Sequence, residues 1–299
     1  MALESHPRLR GELRLDAPLH GLNSWRVGGM AERLYRPADL GDLRRFLSGP
    51  EVRDPVTWLG LGTNVLVRDG GIRGTVIALH GALSLIERPA PGQIRAQAGV
   101  PCAKLARASA RWGLNGIEFL AGIPGTVGGA LAMNAGAFGG ETWDRVLAVE
   151  TVDRSGGLHV RDRGVFEVGY RSVRLPPGEW FVGARWGLDR GDPEAGRARI
   201  RHLLARRAES QPTGVASCGS VFRNPPGDHA GRLIEAAALK GQCVGGACVS
   251  DRHANFIVNT GSARAADIEA LIAQVQAEVH RRFGFQLVPE VRILGEVAP

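Results

Sequence analysis

The segment AGIPGTVGGALAMNAGAFGGE, residues 121–141, restricts the fold of this 299-residue chain more than any other. Seven of its residues are glycine, and its second half is almost entirely apolar apart from Asn134. Such a composition does not suit a solvated loop, and glycine lets the backbone approach a partner closely. We interpret the segment as buried backbone packed flat against a large planar or phosphorylated ligand. The alternative is a tightly packed helix start made of small residues.

A second glycine-rich loop, LGLGTNVLVRDGG, occupies residues 59–71 and follows a run predicted to be a buried strand. Its glycines would allow main-chain N–H groups to approach an anion, and Thr63 and Asn64 could add side-chain hydrogen bonds. A tight strand connection explains this loop equally well. The glycine spacing matches neither the dinucleotide fingerprint G-x-G-x-x-G nor the phosphate loop that ends in Gly-Lys-Ser/Thr.

Hydrophobic periodicity predicts alternating strands and helices along the chain. A helix is predicted over 102–113, with Cys102, Leu105, Ala106 and Ser109 on one face and Gly113 at its end. Strands are predicted between 146 and 189, and the polar break RGDPEAG at 190–196 is interpreted as a domain boundary. The last predicted elements are a helix over 267–283, ended by Gly284, and a strand within 286–295.

The composition indicates a globular protein with a basic balance. The net charge is +7, and only Lys104 and Lys240 are lysines. The densest basic run, 197–207, has apolar residues at helical spacing, so we interpret it as a helix with a solvated basic face. Nucleic-acid binding is the weaker alternative, because no binding motif accompanies the charge. No membrane-spanning segment and no signal peptide are expected.

The four cysteines are too few for a disulfide framework in a chain of this length, which favours a reducing, cytoplasmic setting. Cys243 and Cys248 are spaced more widely than the usual zinc-binding pair, and no second pair follows, so no metal site is predicted. His253 is interpreted as a structural or substrate-contacting histidine.

Three residues are candidates for chemistry on their type and surroundings. Ser220, in CGSVFRNP, lacks the second glycine of a nucleophile elbow, and the residues alone leave open a nucleophile, phosphate ligand, proton donor or turn residue. Arg171, in GYRSVRL, could clamp a carboxylate with its planar guanidinium. The third is Glu290, which is two residues from Arg292 in a predicted strand, so the two are expected to share one face. They could be a simple solvated ion pair, but two charges in an otherwise apolar run favour a functional face.

Taken together, these motifs resemble the UDP-N-acetylenolpyruvoylglucosamine reductase family. The resemblance covers nearly the whole chain, in order: NSWRVGGMAE (23–32), LGLGTNVLVRDGGIRG (59–74), GIEFLAGIPGTVGGALAMNAGAFGGE (116–141), YRSV (170–173), CGSVFRNP (218–225), GGACVSDRHANFIVN (245–259) and PEVRILG (289–295). The departures are small: Thr63 stands where serine is commoner, Trp25 where phenylalanine is usual, and Asn255 at a glycine-like position. The short stretch 170–220 resembles the branch without an extra substrate-capping loop.

The resemblance implies an α+β fold. It consists of an FAD-binding fold of the vanillyl-alcohol-oxidase (PCMH) type in two lobes, plus a C-terminal α+β substrate-binding domain. The implied boundaries are 1–80 for the first lobe, joined by the C-terminal strand 289–299, then 81–192 for the second lobe and 193–288 for the substrate-binding domain.

The resemblance also implies a reaction and its ligands. NADPH would reduce FAD, which would then reduce UDP-N-acetylglucosamine enolpyruvate to UDP-N-acetylmuramate in cytoplasmic peptidoglycan precursor synthesis. The partners would be the UDP-sugar and NADPH, without nucleic acid, membrane or metal, and the chain would act as a monomer. The implied FAD-binding residues are Gly60, Gly62, Thr63, Asn64, Gly122, Pro124, Gly125, Thr126, Gly128, Gly129 and Asn134.

The implied catalytic residues are Arg171, Ser220 and Glu290. Arg171 would stabilise an enolate-like charge with Glu290 alongside, and Ser220 would supply the proton. Glu290 would either be protonated and share a hydrogen bond or orient the acid. Another flavin oxidase or dehydrogenase on the same fold is the alternative activity. The implied substrate-binding residues are Tyr170, Arg207, Asn224, Arg232 and His253.

Overall fold

A computed structural model describes residues 9–298, and three larger β-sheets organise that part of the chain. The first part contains β1 (Glu12–Pro18), β2 (Met30–Arg36), α1 (Leu40–Ser48), β3 (Val56–Leu59), β4 (Val65–Val67) and β5 (Ile72–Ala78). The second contains β6 (Ile86–Glu87), β7 (Gln93–Gln97), α2 (Cys102–Arg111), β8 (Leu114–Asn115), α3 (Val127–Ala132), β9 (Gly136–Ala137), β10 (Gly140–Glu141), β11 (Val146–Asp153), β12 (Leu158–Asp162), β13 (Glu167–Gly169), β14 (Ser172–Arg174), β15 (Glu179–Gly187), β16 (Asp189–Arg190) and α4 (Pro193–Ser210).

The last part contains β17 (Ala216–Ser217), α5 (Ala230–Ala236), β18 (Cys243–Val244), β19 (Ala247–Val249), β20 (Ile257–Asn259), α6 (Ala265–Phe283) and β21 (Arg292–Leu294). Short 3-10 helices occupy His20–Leu22, Glu118–Gly122, Thr142–Arg145 and Arg163–Val165.

The first sheet has the strand order β1-β2-β5-β3, in which only the β1–β2 pair is antiparallel. Helix α1 begins where the Asp39 side chain accepts a hydrogen bond from the main chain of Asp42, which caps the free N–H groups of its first turn. Leu43, Phe46 and Leu47 on its inner face are fully buried. In the strand order given above, β3 forms one edge of this sheet.

The second sheet is antiparallel throughout, with the order β12-β11-β15-β7-β6. Helix α2 packs into its core, and the predicted inner face is confirmed because Cys102, Leu105, Ala106 and Ser109 are all buried. Gly113 follows the helix with φ +65°, a conformation that glycine adopts at little cost.

Helix α4 differs from the sequence-based expectation. The polar break RGDPEAG is its start: the Asp192 side chain accepts hydrogen bonds from the main chain of Glu194 and Ala195, and Pro193 takes the first helical position. Its buried residues Ile200 and Leu203 belong to the core of the second sheet. The predicted break is therefore the start of a helix, and residues of this helix up to at least Leu203 contribute to the core of the second sheet.

The third sheet has the order β17-β20-β19-β18 and is covered by α5 and α6. The apolar stripe predicted for α6 is confirmed, and Gly284 ends the helix in the left-handed conformation. Cys243 and Cys248 face each other across β18 and β19 and form a disulfide. The spacing of these two cysteines in the sequence did not predict this pairing.

The predicted C-terminal strand is shorter than expected. Pro289 has no N–H for a ladder and pairs only with Phe222, in an isolated antiparallel bridge. The strand β21 begins at Arg292 and pairs in parallel with β4, so the end of the chain lies beside its first part.

Trp25 ties the N-terminal part to the third sheet. Its side chain is fully buried in the core that α5 and α6 cover, and its indole Nε1 donates to the carbonyl of Ile257 at 2.8 Å. The side-chain amide of Asn259 donates in turn to the carbonyl of Trp25 at 2.8 Å.

Replacing Trp25 with phenylalanine should destabilise the protein, because it leaves a cavity and an unpaired buried carbonyl at Ile257. We expect a loss of about 2–4 kcal/mol in the free energy of unfolding, measured by urea denaturation with circular dichroism. Trp112→Phe, at a partly buried position, is the control and should cost less than about 1 kcal/mol. Equal losses in the two variants would contradict the assignment.

Candidate active site

The two glycine-rich loops lie against each other between the first two sheets. A Cβ atom on Gly60 would collide with the Thr126 hydroxyl, and one on Gly125 would lie 3.5 Å from the Thr63 hydroxyl. Gly60 therefore has to be glycine for the loops to approach this closely. Thr126 also caps α3, since its hydroxyl accepts from the main chain of Gly129 at 3.4 Å.

Two cavities adjoin this contact. The inner cavity, of about 160 Å³, is lined by residues of both loops and of the last third of the chain, including Thr63, Asn64, Gly122, Pro124, Arg171, Arg207, Ser220 and Glu290. The outer cavity, of about 520 Å³, lies between the edge of β3 and β15 and is lined by residues that include Gly60, Thr126, Gly128, Gly129, Trp58 and Trp180.

An extended cofactor fits this arrangement. The outer cavity falls within the range of about 300–1,000 Å³ that is usual for ligand pockets. Trp58 lines it, and the Trp58 Nε1 is buried with no hydrogen-bond partner among the described residues, so an acceptor from a ligand would satisfy this donor. Eight of the eleven predicted cofactor residues line one of the two cavities: Gly60, Thr63, Asn64, Gly122, Pro124, Thr126, Gly128 and Gly129.

The other three predicted cofactor residues have contacts within the protein. Gly62 has φ +63°, and a Cβ there would strike the carbonyl of Leu22. The carbonyl of Gly125 accepts from the main chain of Cys102 at 2.9 Å.

Asn134 is buried, and its amide is fully used by protein partners. Its Nδ2 donates to the Glu141 carboxylate at 2.7 Å and to the Gly169 carbonyl at 3.2 Å, while its Oδ1 accepts from the main chain of Trp143 at 3.2 Å. The structure thus gives this amide a different use from the predicted one. The main-chain carbonyl of Asn134 instead accepts from Arg171 at 3.3 Å.

Arg171 lies in the turn between β13 and β14, with the rare φ of +52° for a non-glycine residue. Its side chain is only 17% exposed, and its Nη2 donates to the Gly136 carbonyl at 3.0 Å. The guanidinium Nε lies 3.2 Å from Oε1 of Glu290. Such a backbone conformation costs on the order of 1–3 kcal/mol and persists only where its surroundings fix it, as these contacts do.

Glu290, whose side chain is 14% exposed, lies at the other side of this ion pair. Burial raises the pKa of its carboxyl above the ordinary value, and the charges of Arg171 and then Arg223 oppose that shift. Its main-chain N–H donates to the carbonyl of Val221 at 2.7 Å, and its carbonyl accepts from Asn64 at 3.1 Å. The first glycine-rich loop and the Ser220 segment therefore both hold Glu290 in place.

Ser220 faces the inner cavity from a segment that packs on the first loop. The Cys218 thiol lies 3.3 Å from the carbonyl of Val65, and burial raises the pKa of this thiol to about 12, so it stays neutral. Ser220, Arg171 and Glu290 come from distant parts of the sequence and line one cavity.

The five predicted substrate-binding residues do not all lie at the inner cavity. Arg207 lines the inner cavity, where burial lowers its pKa, and it donates to Gln211 at 3.0 Å. The other four do not line either cavity. Tyr170 is half exposed beside Arg171, Asn224 accepts from the main chain of Ala230, Arg232 pairs with Asp228, and His253 accepts from the main chain of Asn255.

The predicted functional face shared by Glu290 and Arg292 is not formed. Glu290 precedes β21 and lines the inner cavity, whereas Arg292 lies within β21 and lines the outer one. The alternation rule fails here because Pro289 interrupts the strand.

Residues that line these cavities and were not predicted as site residues include Gln211, Phe256, Trp58 and Trp180. Only Gln211 had a usable signal, since it lies four residues after Arg207 at helical spacing.

None of the helices within residues 9–298 combines the length and the apolar character that crossing a membrane requires.

Comparison with known proteins identifies the family. Residues 31–161 match the family described as "FAD binding domain", and residues 211–294 match "UDP-N-acetylenolpyruvoylglucosamine reductase, C-terminal domain". The chain is 60% identical over 286 residues to the UDP-N-acetylenolpyruvoylglucosamine reductase of Alkalilimnicola ehrlichii, which covers 96% of each chain. It is also 60% identical over 287 residues to that of Methylococcus capsulatus, covering 96% of this chain and 94% of the relative.

A solved structure agrees with these matches. The crystal structure of the reductase from Thermus caldophilus is 36% identical, covers 96% of this chain and 99% of its own, and superimposes with a TM-score of 0.82. The predicted fold class, an α+β FAD-binding fold in two lobes with a further C-terminal α+β part, is confirmed. The chain therefore belongs to the UDP-N-acetylenolpyruvoylglucosamine reductase family and is an FAD-containing oxidoreductase.

Proposed function

We propose that this protein catalyses the NADPH-dependent reduction of UDP-N-acetylglucosamine enolpyruvate to UDP-N-acetylmuramate. The reaction is a cytoplasmic step of peptidoglycan precursor synthesis, and the chain catalyses it as a monomer. The observation that supports the proposal most is the convergence of Arg171, Ser220 and Glu290 on one cavity beside the two glycine-rich loops. The inner cavity thus combines a charge clamp with a hydroxyl.

We propose three functional units for this reaction. The first lobe, 1–80, is completed by the C-terminal segment 289–299, and the pairing of β21 with β4 supports this division. The second lobe is 81–192, and 193–288 binds substrate. Helix α4 connects the last two, because its core residues pack with the second sheet while Arg207 reaches the inner cavity.

FAD, when bound, would accept hydride from NADPH and deliver it to the substrate. The residues proposed to hold it are those of the two loops: Gly60, Gly62, Thr63, Asn64, Gly122, Pro124, Gly125, Thr126, Gly128 and Gly129. Gly62 and Gly125 act by shaping these loops, and Asn134 acts indirectly by fixing Arg171.

Arg171 and Glu290 stabilise the charge that develops on the substrate. Hydride addition to the terminal methylene carbon of the enolpyruvyl group leaves negative charge on the carbon that bears the carboxylate. A guanidinium fixed by two carbonyls and one carboxylate needs no reorganisation to meet this charge. A protonated Glu290 would share a hydrogen bond with the charged group, and its raised pKa favours that form.

Ser220 supplies the proton that completes the product. One hydride and one proton add across the double bond, and no group leaves. A serine hydroxyl is a weak acid, so its positioning, together with nearby positive charge that stabilises the alkoxide it leaves, has to compensate.

Arg207, with Gln211 beside it, is proposed to bind the anionic part of the UDP-sugar. Tyr170, Asn224 and Arg232 are proposed to contact the nucleotide portion that extends from the inner cavity. His253 is assigned a structural role, because its Nδ1 accepts from Asn255 at 3.2 Å and burial lowers its pKa.

The visible absorption spectrum tests this proposal directly. The purified protein should be yellow, lose its flavin absorption when NADPH is added without oxygen, and regain it when the enolpyruvyl UDP-sugar follows. A bleached flavin that the UDP-sugar fails to reoxidise would rule out the proposed substrate.

The Ser220→Ala variant should separate the two half-reactions. Flavin reduction by NADPH should stay at the wild-type rate, whereas reoxidation by substrate should slow by about 10²- to 10⁴-fold, the usual worth of a positioned acid. Stopped-flow absorbance measures both steps. Ser217→Ala, in β17 near the site, is the matched control and should retain both rates. Unchanged reoxidation in Ser220→Ala would refute the proton-donor role.

The Glu290→Gln variant tests the buried carboxyl through stability. Because its folded-state pKa is raised, Glu290 contributes stability that is complete below the ordinary value near 4.5 and is lost as pH rises through the folded-state pKa. Glutamine cannot ionise, so the unfolding free energy of the variant relative to wild type should increase with pH across this window. The slope cannot exceed about 1.4 kcal/mol per pH unit.

Glu278→Gln is the control for that experiment. Arg281 and Arg282 lower the pKa of the partly exposed Glu278 carboxyl to about 2, so its contribution is lost as pH falls. The stability of this variant relative to wild type should therefore change weakly and in the opposite direction. A flat or falling relative stability for Glu290→Gln in chemical denaturation between acid and neutral pH would disprove the assignment.

A further inference from the structure

We propose that Asn255 is a positioning residue for the reaction, which acts by clamping the main chain that carries Ser220. This inference rests on the proposed role of Ser220 as proton donor. Asn255 is only 4% exposed and lies in the turn that leads into β20.

A single amide side chain binds both main-chain groups of Phe222. The Oδ1 of Asn255 accepts from the Phe222 N–H at 2.9 Å, and its Nδ2 donates to the Phe222 carbonyl at 2.8 Å. The main-chain carbonyl of Asn255 also accepts from the Val221 N–H at 2.9 Å. An amide is required here, because it is the side-chain group that offers an acceptor and a donor side by side in one plane.

The segment that carries Ser220 is not part of a regular strand ladder at Phe222. Gly219 adopts φ +72°, and Phe222 forms only an isolated bridge with Pro289. Proline cannot donate a hydrogen bond, so the carbonyl of Phe222 cannot be paired by the Pro289 main chain. Asn255 satisfies this buried group, which would otherwise cost free energy.

The Ser220 segment is held next to the segment of Glu290 on both sides of Phe222. Next to Phe222, the carbonyl of Val221 accepts from the Glu290 N–H at 2.7 Å, and the Arg223 N–H donates to the Val288 carbonyl at 2.9 Å. The distance between the Ser220 and Glu290 segments therefore depends on the main-chain position that Asn255 sets. A displacement of about 1 Å at a reacting group can slow a reaction by about 10²-fold.

The test uses the FAD-loaded enzyme with its flavin reduced by dithionite, so that the result does not depend on NADPH. Asn255→Ala should slow reoxidation by the enolpyruvyl UDP-sugar by about 10- to 100-fold. FAD content should be unchanged. Asn259→Ala is the matched control: it removes another amide that holds a main-chain carbonyl, that of Trp25, but lies outside the Ser220 segment. It should lower stability and leave the reoxidation rate near wild type.

A double mutant distinguishes positioning from general destabilisation. If Asn255 acts through Ser220, adding Asn255→Ala to Ser220→Ala should slow reoxidation by no more than about threefold further, because the proton donor is already gone. A purely structural role would give multiplicative losses.

Asn255→Asp gives a further readout that remains available if the alanine variant does not fold. An ionised aspartate has no donor for the Phe222 carbonyl, whereas a protonated one can both donate and accept. Burial raises the pKa of a carboxyl, so a larger fraction of this aspartate is protonated as the pH falls. The reoxidation rate of the Asn255→Asp variant, relative to wild type, should therefore increase as the pH falls from about 8 to about 5.5.

The proposed role of Asn255 would be contradicted by a wild-type reoxidation rate in Asn255→Ala, or by losses of reoxidation rate that multiply when Asn255→Ala and Ser220→Ala are combined. In Asn255→Asp, a rate relative to wild type that does not change with pH would also overturn it. Full reoxidation in Ser220→Ala alone would instead overturn the proton-donor role, so the two failures are distinguishable.

Discussion

The ion pair between Arg171 and Glu290 is the contact on which the arrangement of the site depends. Arg171 comes from a hairpin beside the second sheet, whereas Glu290 comes from the segment that returns to the first. The main chain of Glu290 is bonded to Asn64 on one side and to Val221 on the other. All three parts of the chain therefore meet at one buried carboxylate.

A buried charge pair of this kind is costly unless its geometry is fixed and its remaining groups are bonded. The protein meets this requirement in part: two carbonyls accept from the Nη atoms of Arg171, whereas its buried Nε has no hydrogen-bond partner among the described residues. Arg171 also adopts an unfavourable φ at this position. The raised pKa of Glu290 shows that its partners do not fully offset desolvation. The backbone strain at Arg171 and the incomplete pairing of Glu290 are features that cluster at binding and catalytic sites.

The elements with long regular patterns were predictable from sequence, and the contacts between distant segments were not. The inner faces of α2 and α6 followed from helical spacing, since burial along one helix depends mainly on local periodicity. Helix α4 was predicted as an element, but its packing on the second sheet was not, because the start signal Asp192-Pro193 also reads as a break.

The site shows the same limit. The glycine-rich loops indicated a large ligand, because close backbone approach leaves a compositional trace. The convergence of Arg171, Ser220 and Glu290 came only from the resemblance, since nothing local links them. A buried amide such as that of Asn134 has the same sequence signature whether it binds a ligand or, as its hydrogen bonds here do, the protein. Asn255, first noted only as a departure from the family pattern, proved to hold Phe222 on both sides.

The excess of positive charge at the inner cavity accounts for part of the basic balance of the chain. Arg171 and Arg223 face the carboxyl of Glu290, and Arg207 lines the same cavity, where its side-chain partner among residues 9–298 is the neutral Gln211. Protonation of Glu290 increases this excess further. A substrate with a carboxylate and a diphosphate would neutralise it, which is the electrostatic complementarity that the proposed reaction requires. The basic charge of the chain, taken by itself, left nucleic-acid binding open as an alternative. At this cavity, a small anionic ligand explains the positive charge better.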